Sequence, residues 1–330
     1  MKGLDEKQYW MSAHIYHYGS LDNLISDGLK SFFKEIEKKD GMQKYFFIRY
    51  WIGGPHIRVR IYGNDLFLKE AKDLLQHKVN LYAEKYDENI VFNKELYKTY
   101  SNRIKKIERY EGQVEKLYPA DSIQYIPYEP EWSRYGGEYG VQIAEEWFYN
   151  SSKLILDVLP SVKDNVGKRF LMALKCFTVF LKYTSMDLKE KILFCQSYYN
   201  YWSKYALEDV MRDFKQKAMK DFKQQEDIFS HIVQSSLMDM EKNDEWLGRY
   251  ALCVKKTVES LDSAIDAGKI ILGNDEENRH TNYYTILSSY IHMHNNRLGI
   301  GPHIEAVCAL YISLILEKIH NGKEEVEIYE

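Results

Sequence analysis

Hydrophobic and polar positions follow two different periods along the chain, and the change falls near Gly136-Gly137. Before this point, short segments with strand-like alternation are separated by segments whose apolar residues recur at helical spacing. After it, nearly every segment has the 3.6-residue period of an amphipathic helix, and only Pro160 and Pro302 interrupt the series. The pattern therefore predicts an α+β protein with a mixed first part and a mainly helical second part.

The first part contains four strand signals and two helix signals. Strands are predicted at Tyr9–Tyr18, Tyr45–Trp51, His56–Tyr62 and Ile123–Tyr128, and helices at Leu21–Ile36, after the N-cap Ser20, and at Asp65–Tyr86. The Gly53-Gly54-Pro55 turn makes a hairpin of the second and third strands. The order strand, helix, strand, strand, helix, strand is that of a ferredoxin-like split βαβ unit. We expect the polar, Tyr-rich residues 89–119 to form an irregular insertion.

The second part reads as a series of amphipathic helices. They are predicted at Gln142–Leu159, Val166–Tyr183, Leu188–Phe222, Ile228–Met240, Glu245–Ala267, Tyr283–Asn296 and Val307–Ile319. The predicted domains are a sheet unit over 1–137 and a helical domain over 138–322, with one shared cavity between them. The charged residues 323–330 are expected to form a frayed tail.

Composition and charge exclude several classes of protein. The net charge of −4 argues against a general nucleic-acid binder. No apolar run reaches the length of a membrane span, and the N-terminus lacks the apolar core of a signal peptide. The four cysteines lie far apart in apolar helical contexts, which is typical of reduced thiols in a cytoplasmic protein. The 28 tyrosines suit a peptide-binding groove but equally suit ordinary packing with a polar tip.

One candidate site lies on the third predicted strand. Because side chains alternate along a strand, His56, Arg58 and Arg60 share one face. A sheet face that carries arginines among aromatic residues can hold a carboxylate or phosphate through paired N–H donors. The same alternation also describes an exposed sheet with a solvated basic face, and the pattern alone leaves both interpretations open.

Two further polar clusters stand out. The segment 128–137 packs two carboxylates and an arginine among aromatic residues before its double glycine, and it is either a binding loop or a domain junction. On a later helix, His292, Asn295 and Asn296 fall on one face, whereas His294 points away. That spacing is wrong for a zinc site, so no metal is expected, and His292 is either functional or structural.

At these three clusters the sequence resembles the C-terminal domain of lantibiotic dehydratases, a domain that also occurs alone in thiopeptide biosynthesis. The likeness covers nearly the whole chain. It is carried by the segments Phe47–Trp51, Gly54–Arg60, Tyr128–Glu131, Arg134–Gly137, His292-Met293 and Asn296–Leu298. In that family a partner domain attaches glutamate from glutamyl-tRNA to Ser or Thr of a precursor peptide. The C-terminal domain then eliminates the glutamate and leaves dehydroalanine or dehydrobutyrine.

The resemblance implies a set of elimination residues. By motif position they are Arg58, Arg60, Glu131, Arg134 and His292. Residues expected to bind the peptide are Arg49, His56, Tyr135, Asn296 and Arg297. A histidine suits removal of the Cα proton, and arginines suit the carboxylate that leaves. No cofactor is needed, because the leaving group is activated beforehand.

Three functions remain open at the level of sequence. Elimination would need a precursor peptide and a separate glutamylation enzyme as partners, with no membrane and no direct nucleic-acid contact. Stand-alone relatives also form the pyridine core of thiopeptides by joining two dehydroalanines in a formal cycloaddition. A non-catalytic protein that binds the precursor peptide is the third reading. The assembly state is open as well, with a homodimer among the alternatives.

Overall fold

The computed structural model describes residues 7–86, 92–112, 116–238, 244–270, 272 and 276–329, with backbone alone for 276–279 and 323–329. The chain divides into two units. The first unit comprises Met1–Pro130 and Phe148–Lys163, and the second comprises Glu131–Trp147 and Asp164–Glu330. The first unit holds the sheet, and the second is built from helices. The predicted α+β class, with a sheet region followed by a mainly helical part, is confirmed.

The sheet of the first unit has four antiparallel strands in the order β2-β3-β1-β4. Their bounds are Gln8–Tyr16 for β1, Met42–Tyr50 for β2, His56–Asn64 for β3 and Ser122–Tyr125 for β4. This order is the one that a split βαβ unit produces, because the helix after β1 carries the chain past the position that β3 later fills. The sequence-predicted sheet unit is thus confirmed, with β4 shorter than expected.

The two faces of the sheet have different neighbours. Buried Ile57, Val59 and Ile61 of β3 share the face on which Phe33 stacks against Tyr45, at 4.3 Å between ring centroids. Phe33 lies in α2 (Lys30–Ile36), which follows α1 (Leu21–Asn23) and a π-helical turn at Leu24–Leu29. The Ser20 hydroxyl accepts the Asn23 N–H and so caps α1, as predicted. The opposite sheet face carries the arginines of β3.

The expectation of an irregular insertion at 89–119 is wrong over Lys94–Ile107, which form the helix α4. Residues 89–91 and 113–115 of that segment lie outside the described residues. The helix was missed because it buries little apart from Ser101, so its apolar stripe is thin. Its Tyr97 hydroxyl donates to Trp51 O at 3.0 Å and accepts from Gly54 N at 3.1 Å. The helix therefore fixes the β2–β3 turn beside the arginine strand.

The remaining helices follow the predicted periodicity, with different ends. After α3 (Asp65–Lys85) of the first unit, they are α5 (Glu138–Val162), α6 (Val166–Lys182), α7 (Leu188–Trp202), α8 (Glu208–Gln224), α9 (Glu226–Leu237), α10 (Glu245–Asp266), α11 (Glu276–Leu298) and α12 (Pro302–Tyr329). The last helix includes most of the segment 323–330, for which the sequence predicts fraying. Among the residues that the structure describes, no helix combines the length and the apolar character that a bilayer span requires.

The prediction of one continuous helix over Leu188–Phe222 is wrong. A short 3-10 turn at Ser203–Tyr205 interrupts the helical segment. Its Trp202 is almost fully buried and donates its indole N–H to Ser288 Oγ of α11 at 3.1 Å. Leu207 is then extended, with ψ of 145°, and α8 begins at the next residue. Docking of Trp202 on α11 thus sets the point at which α7 ends.

Candidate active site

The basic residues of the first unit form a cluster on one sheet face, which we call the sheet cluster: His14, His56, Arg58 and Arg60. Strand pairing places His14 of β1 opposite Arg58 of β3. Side chains of directly paired residues project from the same face, and alternation along β3 adds His56 and Arg60 to it. The predicted strand face therefore exists, and it is partly or fully buried rather than a solvated basic surface.

His56 of this cluster and the neighbouring Tyr50 both hold Arg58. Its Nε donates to His56 Nε2 at 3.2 Å, and its guanidinium carbon lies 3.4 Å from the centroid of the Tyr50 ring. Because an arginine can only donate, His56 Nε2 must be the accepting nitrogen. The Nδ1–H of His56 then donates to Gly54 O at 2.8 Å. The hairpin turn thereby fixes the tautomer of His56, and His56 fixes the plane of the Arg58 guanidinium.

Arg60 is a buried cation that contacts neutral side chains and has the Arg58 charge nearby. Its side chain is 6% exposed, its Nη2 lies 3.2 Å from His14 Nε2, and the Tyr128 ring centroid is 5.4 Å from its guanidinium carbon. Burial, assisted by the charge of Arg58, lowers the pKa of Arg60 to about 9. Among the described residues no carboxylate pairs with Arg60. Two neighbouring arginines without an acidic partner for the buried one favour an anion in this cluster.

Both histidines of the sheet cluster are neutral at physiological pH. Burial, followed by the charges of Arg58 and Arg60, lowers the pKa of His14 to about 2. Burial likewise lowers the pKa of His56 to about 3, although the hydrogen bond to Gly54 opposes the shift. Neither histidine can therefore act as a cation for a bound anion. Each instead accepts a hydrogen bond from an arginine through its Nε2, His56 from Arg58 and His14 from Arg60.

These lowered pKa values predict acid sensitivity. Between about pH 3 and 6.5 the unfolded chain binds a proton at His56 that the folded chain excludes, so stability falls as pH falls through this range. From pH 7 to pH 5 the cost for His56 is on the order of 2 kcal/mol. His56→Gln, which keeps an acceptor for Arg58, should lose correspondingly less stability over the same interval. Urea unfolding of both proteins at the two pH values measures the difference, and equal losses would contradict the prediction.

Arg49, expected to bind the peptide, does not belong to this cluster. Its strand position pairs with Ile57, which places it on the sheet face opposite Arg58. There its Nη2 lies 2.6 Å from Asp22 Oδ1 in the first turn of α1. The structure therefore gives Arg49 a partner on the helical face of the sheet, and its expected contact with substrate has no support from this geometry.

The second unit contains what we call the helical cluster: Tyr198, Trp202, His292, Asn295 and Glu305. His292 Nδ1 lies 3.0 Å from Glu305 Oε1 and 3.2 Å from Oε2. The Glu305 side chain has no solvent exposure, whereas that of His292 keeps 17%. The Tyr198 hydroxyl donates to Glu305 Oε2 at 2.5 Å, and Asn295 Nδ2 donates to the same oxygen at 3.4 Å. Glu305 is thus a buried acceptor that holds the imidazole in one orientation.

Trp202 completes this arrangement from the side. Its ring stacks on His292 with centroids 3.8 Å apart and an interplanar angle of 17°. With Nδ1–H committed to Glu305, the Nε2 of His292 is the nitrogen that can take or give a proton. The geometry is that of an imidazole held in one orientation, with one nitrogen left for proton transfer as a general base or acid.

Arg134 and Glu131 lie beside the helical cluster. Arg134 Nε donates to Ser289 Oγ at 2.9 Å, and Ser289 lies one helical turn before His292 on α11. Glu131 Oε1 is 3.7 Å from Arg134 Nη1, and its side chain is 60% exposed. The structure thus places three of the predicted elimination residues on neighbouring turns and loops of the second unit. That these residues and those of the sheet cluster line one cavity stays a prediction.

The remaining expected peptide-binding residues are placed differently. Tyr135 is 3% exposed and stacks on Tyr290 at 5.8 Å, and Arg297 has no exposure and donates to Met293 O at 2.6 Å. Burial lowers the pKa of Arg297 to about 9. These two residues belong to the packed interior of the helical unit in this structure. Asn296 keeps partial exposure, so it remains a candidate contact.

Sequence reasoning missed the residue that holds His292. Glu305 is the only acidic residue of the apolar stretch 302–316, and a carboxylate in such a stretch needs a buried partner. The sequence therefore indicates that Glu305 has a buried partner, but it does not indicate that this partner is His292. The described residues contain no group of three His, Cys, Asp or Glu side chains that could hold a metal ion.

The family described as "Lantibiotic biosynthesis dehydratase C-term" matches residues 10–315. Because this match covers most of the chain, the protein belongs to that family. The resemblance seen in the sequence motifs is confirmed.

Individual relatives add detail. Epidermin biosynthesis protein EpiB of Staphylococcus epidermidis is 24% identical over 304 residues, which are 90% of this chain and 24% of EpiB. The chain therefore spans about a quarter of the length of that curated relative.

Solved structures show the same fold. The pyridine synthase TbtD from thiomuracin biosynthesis superposes with a TM-score of 0.77 at 14% identity, covering 94% of this chain and 99% of TbtD. TsrL gives a TM-score of 0.66 at 16% identity, with 96% of each chain covered. The tRNA-dependent lantibiotic dehydratase MibB from Microbispora sp. 107891 gives 0.60 at 14% identity, over 94% of this chain and 28% of MibB. At these identities the likeness concerns the fold.

Proposed function

We propose that this protein is a lyase that removes glutamate from glutamylated Ser or Thr residues of a ribosomally made precursor peptide, leaving dehydroalanine or dehydrobutyrine. The observation that carries the proposal is the His292–Glu305 pair in a chain that belongs to the lantibiotic dehydratase C-terminal family. Membership of this family supports a dehydration reaction, and the pair offers an oriented acid–base group suited to a Cα proton.

Elimination requires two coupled events. A base removes the Cα proton of the modified residue, and the electron pair of that C–H bond forms the Cα=Cβ double bond. The Cβ–O bond breaks at the same time, and its electrons leave with glutamate as a carboxylate. His292 Nε2 takes the proton in this scheme, because Nδ1–H is committed to Glu305. The buried carboxylate stabilises the imidazolium that results.

The leaving carboxylate needs positive charge that is already in place. Arg58 and Arg60 supply it, since burial has removed water from Arg60 and the Tyr50 ring and His56 hold Arg58 in one plane. Fixed arginines stabilise charge that grows on the leaving oxygen more than they stabilise the neutral ester. This role requires the sheet cluster and the helical cluster to meet at one substrate, which is part of the proposal.

Glu131 and Arg134 act on the rest of the glutamyl group in this scheme. The exposed Glu131 carboxylate suits the glutamyl ammonium, and Arg134, anchored on Ser289, suits a carboxylate. No cofactor is required for the chemistry, because the glutamate carboxylate released from the ester is already a good leaving group. The reaction does require a separate enzyme that uses glutamyl-tRNA to form that ester, together with the precursor peptide itself.

The test is the reaction of purified protein with a synthetic peptide that carries a glutamyl ester on serine. We expect mass spectrometry to show loss of one glutamate per modified residue, with free glutamate in equal amount and dehydroalanine in the peptide. The matched peptide with an unmodified serine should not react. An unchanged glutamyl peptide at micromolar enzyme would contradict the proposal.

Pyridine formation is the second candidate, and one observation favours it. The likeness to the pyridine synthase TbtD extends over 99% of that chain with a TM-score of 0.77. The presence of all five residues implied for elimination weighs against it, because joining two dehydroalanines expels no glutamate. A thiazole-containing peptide with two dehydroalanines tests this candidate, and its conversion to a macrocycle would replace elimination. A protein that binds both peptides and converts neither would be a non-catalytic partner.

A further inference from the structure

One side chain of the arginine-bearing sheet face has no role in the scheme above. Ser12 lies on β1 directly opposite Arg60, so the two side chains project from the same face. Ser12 is 6% exposed, and its Oγ is buried without a hydrogen-bond partner among the described residues. A buried hydroxyl that lacks a partner costs stability, and such a cost is typical of a group kept for a ligand.

A second neutral donor adjoins it. Arg60 Nη2 lies 3.2 Å from His14 Nε2, and an arginine can only donate, so Nε2 is the accepting nitrogen. A neutral imidazole with an accepting Nε2 carries its hydrogen on Nδ1. Within the described part of the chain, the structure gives His14 Nδ1 no acceptor. Ser12 and His14 therefore each present a hydrogen without an acceptor on the face that holds Arg60.

We propose that Ser12 and His14 complete, with Arg60, a carboxylate subsite in which the Ser12 hydroxyl and the His14 Nδ1–H donate to an anion paired with the Arg60 guanidinium. One buried cation and two neutral donors match one carboxylate, which accepts several hydrogen bonds and brings a single negative charge. The identity of that carboxylate as part of the glutamyl group rests on the proposed function. The subsite itself rests on the geometry of β1 and β3.

The chain offers a matched pair of variants. Ser12→Ala removes the donor, and Ser26→Ala removes another buried hydroxyl that has no partner among the described residues but lies in the π-helical turn. With L-glutamate as the probe in calorimetric titration, we expect Ser12→Ala to raise Kd about tenfold, since hydrogen bonds to charged groups are the stronger kind. Ser26→Ala should leave Kd unchanged. His14→Phe, which keeps a flat ring, should weaken binding by a similar factor.

Stability measurements distinguish a ligand-binding role of Ser12 from a purely structural one. Loss of an unsatisfied buried hydroxyl should leave the urea midpoint of the ligand-free protein unchanged or raise it. A lower midpoint with an unchanged Kd would overturn the proposal, as would failure of the wild-type protein to bind L-glutamate.

Failure of the subsite and failure of the lyase are separable outcomes. Wild-type protein that binds L-glutamate in a Ser12-dependent way without converting the glutamyl peptide would support the subsite and contradict the lyase. The opposite outcome is conversion of the peptide with the same KM in wild type and Ser12→Ala, together with the same Kd for L-glutamate. That outcome would support the lyase and contradict the subsite.

Discussion

His292→Ala should cause glutamylated peptide to accumulate while the peptide still binds. General acid–base groups contribute about 100-fold to 10,000-fold to rate, so kcat should fall by at least about 100-fold with little change in peptide Kd. The physical reason is that the imidazole acts on the proton that is transferred in the transition state. It contributes little to binding of the ground state. Mass spectrometry of a glutamyl-Ser peptide, followed over time, measures the loss.

Two variants control for structural damage, because His292 also stacks on Trp202. His280→Ala removes an exposed histidine from the same helix and should leave both kcat and stability unchanged. Glu305→Gln keeps the shape of the buried acceptor and removes its charge, so it should lower kcat by a smaller factor than His292→Ala. A His292→Ala protein that folds normally and keeps wild-type kcat would exclude His292 as the base.

The fold was largely predictable because its signals are local. Alternation in β3, the Ser20 cap and the two-glycine turn each act within a few residues, and they gave the split βαβ order correctly. The misreadings came where distant contacts decide. Helix α4 has little buried surface of its own, and the end of α7 depends on a bond from Trp202 to Ser288, which are far apart in sequence.

The candidate site was predictable in its residue types and less so in their surroundings. Alternation placed His56, Arg58 and Arg60 on one face, as the structure has them. Which neighbouring residue joins that face depends on strand register, and register depends on pairing between strands. Arg49, which the sequence analysis expects to bind the peptide, lies on the other face with Asp22. Glu305 was missed for the same reason, since its partner His292 belongs to another helix.

Arg58→Lys should be nearly as damaging to elimination as Arg58→Ala, although it keeps the positive charge. Lysine has no Nε–H to donate to His56 at the position of the 3.2 Å bond, and it cannot lie flat on Tyr50 or fork onto a carboxylate. Loss of one such transition-state contact costs on the order of 100-fold in rate. We expect kcat for the glutamyl peptide to fall by about that factor, with a smaller change in peptide Kd.

The control is Arg212→Lys, at an exposed arginine of α8 whose replacement should change neither rate nor binding. The same three proteins also separate the two candidate reactions. If glutamate elimination responds to Arg58→Lys and the bis-dehydroalanine peptide is untouched by wild type, the arginine acts on the leaving carboxylate. The contrary result is that wild type and Arg58→Lys convert the bis-dehydroalanine peptide to a macrocycle at equal rates. That result would mean that the reaction involves no leaving carboxylate. In that case the guanidinium geometry of Arg58 has no part in the chemistry, and elimination is rejected.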